Sequence, residues 1–270
     1  MKKILPINTA GKYIFMLMSM IIVLAPACKK DKTTNQGNVT AATSLRLVHS
    51  SYNNNATPAD LYVDDVKLTT GGAVAFSNAS SYYPLTNGSR KISAKTNTGA
   101  VLADTTLNIA DGIQYSFFIK DRLWTNATNI TTTLKTGLIA VADNNTTAPD
   151  AGTAKVRFVN MSSQPLNAPL GLLTFLQVNT VGSTAATTTL TQALGLKLFS
   201  SDYASLPASS VTFRVYGATS AAALLDPVNT VDLTASLEAG KLYTLYAVST
   251  QYTVKTATKS PLALKLVANN

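Results

Sequence analysis

His49 is the only histidine in this 270-residue chain, and it is followed directly by Ser50 and Ser51. A histidine beside a serine, with a carboxylate such as Asp60 to orient its ring, is the side-chain set of a serine hydrolase. However, no Gly-x-Ser-x-Gly motif occurs in the chain. Neighbouring side chains on one strand point to opposite faces, so His49 and Ser50 are poorly placed to share a proton. We therefore predict a structural role for His49 at a strand end, with a hydrolase as the third functional hypothesis.

Asp60, Asp64 and Asp65 form the densest acidic group in the sequence. Their spacing does not match a calcium-binding loop. One histidine and one cysteine leave too few nitrogen and sulfur ligands for zinc or copper. We interpret the three aspartates as a solvated strand end followed by a hairpin turn, and we expect neither a metal ion nor a cofactor.

Two aromatic residues, Tyr52 and Trp124, lie in segments rich in Asn and Thr. Exposed aromatic rings flanked by amides suit stacking against sugars, so both are candidate ligand-binding residues. The alternative is that Trp124 closes one end of a hydrophobic core. A further motif, Asp104-Thr105-Thr106, resembles a short O-glycosylation sequon of exported bacterial proteins, which makes Thr105 a candidate modification site.

The first 27 residues have the features of a signal peptide. Three lysines within the first twelve residues precede an apolar segment over residues 13–24, which is too short for a comfortable membrane span. The sequence Leu24-Ala25-Pro26-Ala27-Cys28 resembles a bacterial lipobox, in which the cysteine is acylated and becomes the new N terminus. Ordinary cleavage after Ala27, leaving a free thiol, is the alternative. We predict that Cys28, the only cysteine, is lipidated.

The net charge of +9 is concentrated near the membrane end of the chain. Six of the 22 basic residues lie in the leader or directly after Cys28, and the remaining 16 exceed the 13 acidic residues by only three. No basic run with interleaved aromatics occurs there, so we expect no nucleic-acid partner. Residues 28–43 lack apolar periodicity and are predicted to be a flexible tether. We expect a lipid anchor in the cell envelope, and we favour the outer over the inner membrane because no aspartate follows Cys28 directly.

Two stretches beyond residue 43 follow one pattern, which indicates an internal repeat. Each opens with apolar residues alternating about an arginine, so Arg46 and Arg157 are expected on the face opposite to the core. We place the extra length of the second stretch between Gln164 and Gln192. The motif pairs are Leu45-Arg46-Leu47-Val48 with Val156-Arg157-Phe158-Val159, Tyr82-x-x-Leu85 with Tyr203-x-x-Leu206, and Gly112-x-x-Tyr115 with Gly240-x-x-Tyr243.

Short β-branched runs and frequent turn residues predict an all-β chain. The polar segment 143–152 is predicted to link two tandem antiparallel β-sandwich domains of immunoglobulin-like or transthyretin-like type, over residues 44–142 and 153–270. A single larger sandwich is the alternative. Strands are predicted at Val101–Ile109, Ile113–Lys120, Val211–Tyr216, Val228–Leu233 and Leu242–Val248, and Thr188–Phe199 is predicted to be either a helix or a strand.

Four motifs together resemble domain of unknown function family 4397: the opening Leu45 to Ser51, the segment Ala59 to Asp65, Tyr82-x-x-Leu85 and the Gly112-x-x-Tyr115 turn. This resemblance implies an exported, all-β protein that often contains tandem copies, and it implies no activity. Our leading hypothesis is a non-catalytic cell-envelope lipoprotein that is structural, adhesive or ligand-presenting. The alternative is a carbohydrate-binding accessory lipoprotein, so the expected partners are the membrane and either a glycan or another envelope protein.

Overall fold

A computed structural model describes residues 42–52, 57–121, 136–144, 146–162, 173–181, 184–195, 198–217, 230–250 and 262–269. These residues contain sixteen β-strands and no helix, and they belong to one compact unit. Accordingly, the described ranges include no helix that could cross a membrane. The predicted signal peptide, Cys28 and nearly all of the predicted tether lie outside the described residues.

The first sandwich comprises eight strands in two four-stranded sheets. Its inner sheet has the order β4-β1-β7-β8 and its outer sheet the order β3-β2-β5-β6. Alternate apolar residues of both sheets, such as Leu47 and Phe117 opposite Leu61 and Ile92, bury a core between them. The strands are β1 (Ser44–His49), β2 (Ala59–Val63), β3 (Val66–Lys67), β4 (Tyr83–Pro84), β5 (Gly88–Thr96), β6 (Val101–Ile109), β7 (Gln114–Lys120) and β8 (Gly137–Ala142).

The second sandwich has an inner sheet of order β12-β9-β15-β16 and an outer sheet of order β11-β10-β13-β14. Phe158 and Leu245 from the inner sheet meet Phe175 and Phe213 from the outer sheet in a separate core. The strands are β9 (Thr153–Met161), β10 (Leu173–Val181), β11 (Thr184–Leu194), β12 (Ala204–Pro207), β13 (Ser210–Gly217), β14 (Thr230–Ser236), β15 (Leu242–Ser249) and β16 (Leu262–Ala268).

The two sandwiches have the same strand order, with β1 to β8 corresponding in space to β9 to β16. Backbone details repeat as well: His49 N donates to Asn78 O and Asn160 N donates to Leu198 O, both at 2.9 Å. The extra length of the second sandwich includes its β10–β11 hairpin, whose strands have 9 and 11 residues against 5 and 2 in β2 and β3.

Each sandwich contains one parallel strand pair, β1 with β7 and β9 with β15. Every other pair of neighbouring strands among the described residues is antiparallel, in keeping with the predicted antiparallel sandwiches. The parallel arrangement is sterically available because the chain builds the outer sheet between the two partners, which supplies the long connection that parallel pairing needs.

The all-β prediction is confirmed, and several strands are close to their predicted bounds. β6 begins and ends where the sequence predicted, at Val101 and Ile109. The ambiguous segment from Thr188 continues β11 as far as Leu194, so the strand alternative was correct for that stretch. Exposed Thr side chains along β11 suit a pleated, solvent-facing edge strand better than a helix.

Both faces of each inner sheet are buried at its central strands. All six residues of β1 and all eight of β15 are buried, because one face meets the sandwich core and the other meets the partner sandwich. A third apolar cluster between the inner sheets includes Val48, Phe118, Val159 and Tyr246. The rings of Phe118 and Tyr246 meet edge to face with their centroids 5.5 Å apart.

We expect Phe118→Ala to lower the free energy of unfolding by about 3–5 kcal/mol, because it removes a fully buried ring from the contact between the sandwiches. Urea unfolding followed by tyrosine fluorescence measures the change. Val66→Ala is the matched control, since Val66 is 64% exposed and its truncation should change stability by no more than about 0.5 kcal/mol. Equal losses in the two variants would contradict this account of the interface.

Candidate functional site

His49 lies at the end of β1 and is 1% exposed. Its Nε2 is 2.8 Å from the carbonyl oxygen of Thr57. Since a carbonyl oxygen can only accept, Nε2 carries the ring proton and Nδ1 is left unprotonated. Within the described part of the chain, buried Nδ1 has no hydrogen-bond partner. Burial lowers the pKa of His49, and the Thr57 hydrogen bond and the charge of Asp121 oppose that shift.

The two serines after His49 are bonded to other groups. Ser50 Oγ donates to the carbonyl oxygen of Ile119 at 2.6 Å, and Ser51 Oγ donates to the Asp121 carboxylate. The same carboxylate accepts the backbone N–H of Tyr52 at 2.9 Å. These bonds join the end of β1 to the end of β7. The carboxylate beside these residues is therefore Asp121, which the sequence analysis did not single out. It is not Asp60, which the hydrolase hypothesis had proposed as the partner of His49.

Asp60 is buried rather than solvated, contrary to the sequence interpretation. Its carboxylate accepts hydrogen bonds from Lys67 Nζ at 2.8 Å and from Thr69 Oγ1 at 2.6 Å, which compensates for its burial. Asp64 and Asp65 do form the predicted two-residue hairpin turn, with φ of 47° and 64°. In the described ranges no three His, Cys, Asp or Glu side chains converge closely enough to coordinate a metal ion.

The remaining candidates occupy separate places. Tyr52 is half-buried and packs edge to face against Phe76, with ring centroids 5.5 Å apart. Thr105 is half-buried in β6, opposite Ile92 of β5. Trp124 and Cys28 lie outside the described residues. Ligand binding at Tyr52 and Trp124, glycosylation of Thr105 and lipidation of Cys28 therefore stay predictions.

Arg46, Arg157 and Asp143 form a buried charge network between the two inner sheets, and all three residues are at most 3% exposed. Arg157 Nη2 donates to Asp143 Oδ1, and Arg46 Nη2 lies 3.9 Å from Asp143 Oδ2. The alternation of β1 and β9 placed both arginines on the face away from the cores, as predicted. Asp143 was not predicted to be buried, because it opens a polar segment that was predicted to be a linker.

The two arginines make reciprocal contacts across the interface. Arg46 of the first sandwich donates through Nη1 to the carbonyl oxygen of Ala268 and through Nη2 to Asn269 Oδ1. Arg157 of the second sandwich donates through Nη1 to the carbonyl oxygen of Ala142. Each guanidinium therefore binds just beyond or at the end of the last strand of the other sandwich. Asn269 occupies the position that corresponds to Asp143.

Two tyrosines cover the guanidinium groups. Arg46 lies over the ring of Tyr82 at 4.6 Å and Arg157 over the ring of Tyr203 at 5.1 Å, both measured from guanidinium carbon to ring centroid. Tyr82 OH donates to Asp143 Oδ2 at 2.7 Å, and Tyr203 OH donates to the carbonyl oxygen of Asp143 at 2.6 Å. Burial raises the pKa of both phenols, so both stay protonated and continue to donate. The repeated Tyr-x-x-Leu motif was the sequence signal for this pair.

The arrangement defines a class of protein: two β-sandwiches packed through their inner sheets around buried, paired charges. The model of the family described as Domain of unknown function (DUF4397) matches residues 43–168, which cover the first sandwich and β9. This match supports the family resemblance over that part of the chain. No curated protein matches the sequence.

We expect Asp143→Asn to lower the free energy of unfolding by about 3–5 kcal/mol, because it leaves two buried guanidinium groups without a compensating charge. Chemical denaturation at pH 7 measures the loss. Asp150→Asn is the matched control: Asp150 is exposed in the same segment, and its replacement should change stability by no more than about 0.5 kcal/mol. A loss of similar size in both variants would exclude a special role for Asp143.

We expect stability to fall as the pH drops below about 6.5, because the pKa of His49 is lower in the folded state than in the unfolded state. Below that pH the unfolded chain binds the additional proton, which favours unfolding until the pH passes below the folded-state pKa. His49→Asn, which introduces the residue found at the corresponding Asn160, should reduce this dependence. Urea midpoints at pH 7.5 and 5.5 test it, and parallel midpoint shifts in wild type and variant would contradict it.

Proposed function

We propose that this protein is a non-catalytic cell-envelope lipoprotein, in which a lipid-tethered pair of β-sandwiches serves as a structural, adhesive or ligand-presenting module. The observation that carries the proposal is that the candidate catalytic side chains make structural hydrogen bonds. His49, Ser50 and Ser51 bond to Thr57, Ile119 and Asp121, which ties a strand end to its neighbours and leaves neither of the two serines paired with the imidazole.

Attachment to the membrane rests on the sequence. The predicted signal peptide over residues 1–27 ends at Cys28, and residues 28–43 would supply the tether. Each acyl methylene buried in the bilayer contributes about 0.8 kcal/mol, so two or three chains retain a protein firmly. We favour the outer over the inner membrane because no aspartate follows Cys28 directly.

The second sandwich is proposed to be a second copy of the family domain, with domains over residues 44–142 and 153–270 joined by residues 143–152. Its support is the identical strand order and the repeated hydrogen bonds, which extend well beyond the matched residues 43–168. Duplication also accounts for the paired arginines and tyrosines, because one ancestral sandwich would supply both members of each pair.

A carbohydrate-binding accessory lipoprotein is the alternative. As first formulated, it uses Trp124 and Tyr52, whose neighbours are rich in amides and hydroxyls. Tyr52 retains partial exposure in spite of its contact with Phe76. Binding of a glycan that disappears in Trp124→Ala would favour this alternative over a purely structural module.

We expect the Cys28→Ser variant either to move from the membrane pellet to the soluble fraction or to accumulate as the uncleaved precursor. The reason is that serine cannot carry the thioether-linked lipid. Fractionation of expressing cells and metabolic labelling with an alkyne fatty acid provide the measurement. Ser51→Ala is the control, because it removes one hydroxyl within the folded part. This variant should still be labelled by the fatty acid and should stay in the membrane pellet.

Two outcomes would contradict the proposal. Unchanged labelling and membrane retention in Cys28→Ser would exclude the lipid anchor. Hydrolysis of simple ester, peptide or glycoside substrates by the purified chain, lost in His49→Asn while the fold is retained, would establish the third hypothesis, a hydrolase.

A further inference from the structure

A short segment of the second sandwich, residues 198–203, separates two clefts. One cleft, of about 430 Å³, lies against β11, and the other, of about 350 Å³, lies at the junction with the first sandwich. Phe199, Ser200, Ser201 and Tyr203 line both. Volumes near 300–1,000 Å³ are typical of small-molecule sites, which often occur where two domains meet.

The junction cleft combines apolar and polar groups from both sandwiches. Leu107, Asn108 and Tyr115 come from β6 and β7 of the first sandwich, and they face Arg157, Phe199 and Tyr203 of the second. Asn108 is exposed and presents both amide donors and an acceptor. Aromatic and hydrogen-bonding groups therefore line the same space.

The Nε–H group of Arg157 lacks a hydrogen-bond acceptor among the described residues, unlike the Nε–H group of the corresponding Arg46. In the first sandwich, Arg46 Nε donates to Ser116 Oγ at 2.6 Å. The corresponding Nε of Arg157 is buried and has no hydrogen-bond partner among the described residues, while Arg157 itself is 3% exposed. A buried N–H without an acceptor is unfavourable. Arg157 is nevertheless one of the residues that line the junction cleft.

Phe199 is the second departure from the repeat. It bridges to Val159, and the corresponding bridge in the first sandwich joins Val48 to Ala79. Ala79 packs into the apolar cluster between the sheets, whereas Phe199 is 44% exposed at the edge of the cleft. A large ring thus stands in solvent at a position where the first sandwich has a methyl group.

We propose that the junction cleft binds a neutral carbohydrate, which stacks its C–H face on Phe199 and hydrogen-bonds to the side-chain amide of Asn108. A neutral ligand is favoured because Asp143 already pairs with the guanidinium. A hydroxyl-rich ligand also matches the amide of Asn108, which can donate and accept. The hydroxyl groups of Ser200 and Ser201 already donate to Asp202. This inference deepens the ligand-presenting role proposed above and rests on it, and its residues differ from the Tyr52 and Trp124 set.

The test measures binding of the full-length lipoprotein in detergent to five neutral oligosaccharides: maltohexaose, cellohexaose, xylohexaose, mannohexaose and chitohexaose. Polygalacturonate is the acidic comparison. We expect at least one neutral oligosaccharide to bind and Phe199→Ala to weaken it about tenfold, since the stacking ring is lost. Leu198→Ala is the matched control, because Leu198 is 55% exposed next to Phe199 and lines neither cleft.

Asn108→Ala provides a second test from the opposite sandwich and should also weaken binding, since Asn108 is exposed and its truncation leaves the cores intact. Urea midpoints equal to wild type establish that each variant is folded. Four outcomes would overturn the inference: no binding to any neutral oligosaccharide, binding to polygalacturonate alone, equal losses in Leu198→Ala and Phe199→Ala, or loss in Tyr52→Ala with Phe199→Ala unaffected. None of them alters the fractionation of Cys28→Ser, so failure here is distinguishable from failure of the lipoprotein proposal.

Discussion

The Asp143 carboxylate lies between two buried guanidinium groups, one from each sandwich. Taking charges out of water is costly, and it is tolerated only where the partners and the remaining lone pairs are satisfied. Asp143 meets that condition through Arg157, Ser116 and Tyr82, with Arg46 close by. Apolar packing could tolerate several relative positions of two flat sheets. A directional set of charge-assisted bonds favours one position, and the register of the interface depends on it.

That interface explains the sequence of the inner strands. A sheet with one solvated face alternates apolar with polar residues, but β1 and β15 must satisfy two buried faces. Their second face therefore contains apolar residues such as Val48 and Tyr246, together with Arg46 and Thr244, whose polar atoms are hydrogen-bonded. The outer strands β6 and β14 retain ordinary alternation because solvent covers one side of them.

Local patterns predicted the strands well and the long-range contacts poorly. β6 was located to the residue, since its apolar and polar residues alternate between clear turns. Asp60 was misjudged because its compensating partners, Lys67 and Thr69, only meet it once the β2–β3 hairpin forms. The parallel partner of β1 is β7, about 70 positions away. Hydrophobic periodicity indicates local structure and does not predict which distant strands pair. Asp143 was overlooked because the polar residues around it suggested solvent exposure.

The bond between Arg46 and Asn269 joins residues that are 223 positions apart. Arg46 lies near the start of the folded unit, so its bond to Asn269 forms only after both sandwiches have been synthesised, whichever core folds first. In a chain whose second sandwich has not folded, the apolar face of the first inner sheet is uncovered, and Arg46 lacks its acceptors at Ala268 and Asn269. Exposed apolar surface makes a partly folded chain prone to aggregation, so the first sandwich alone would carry that risk until the second packs against it.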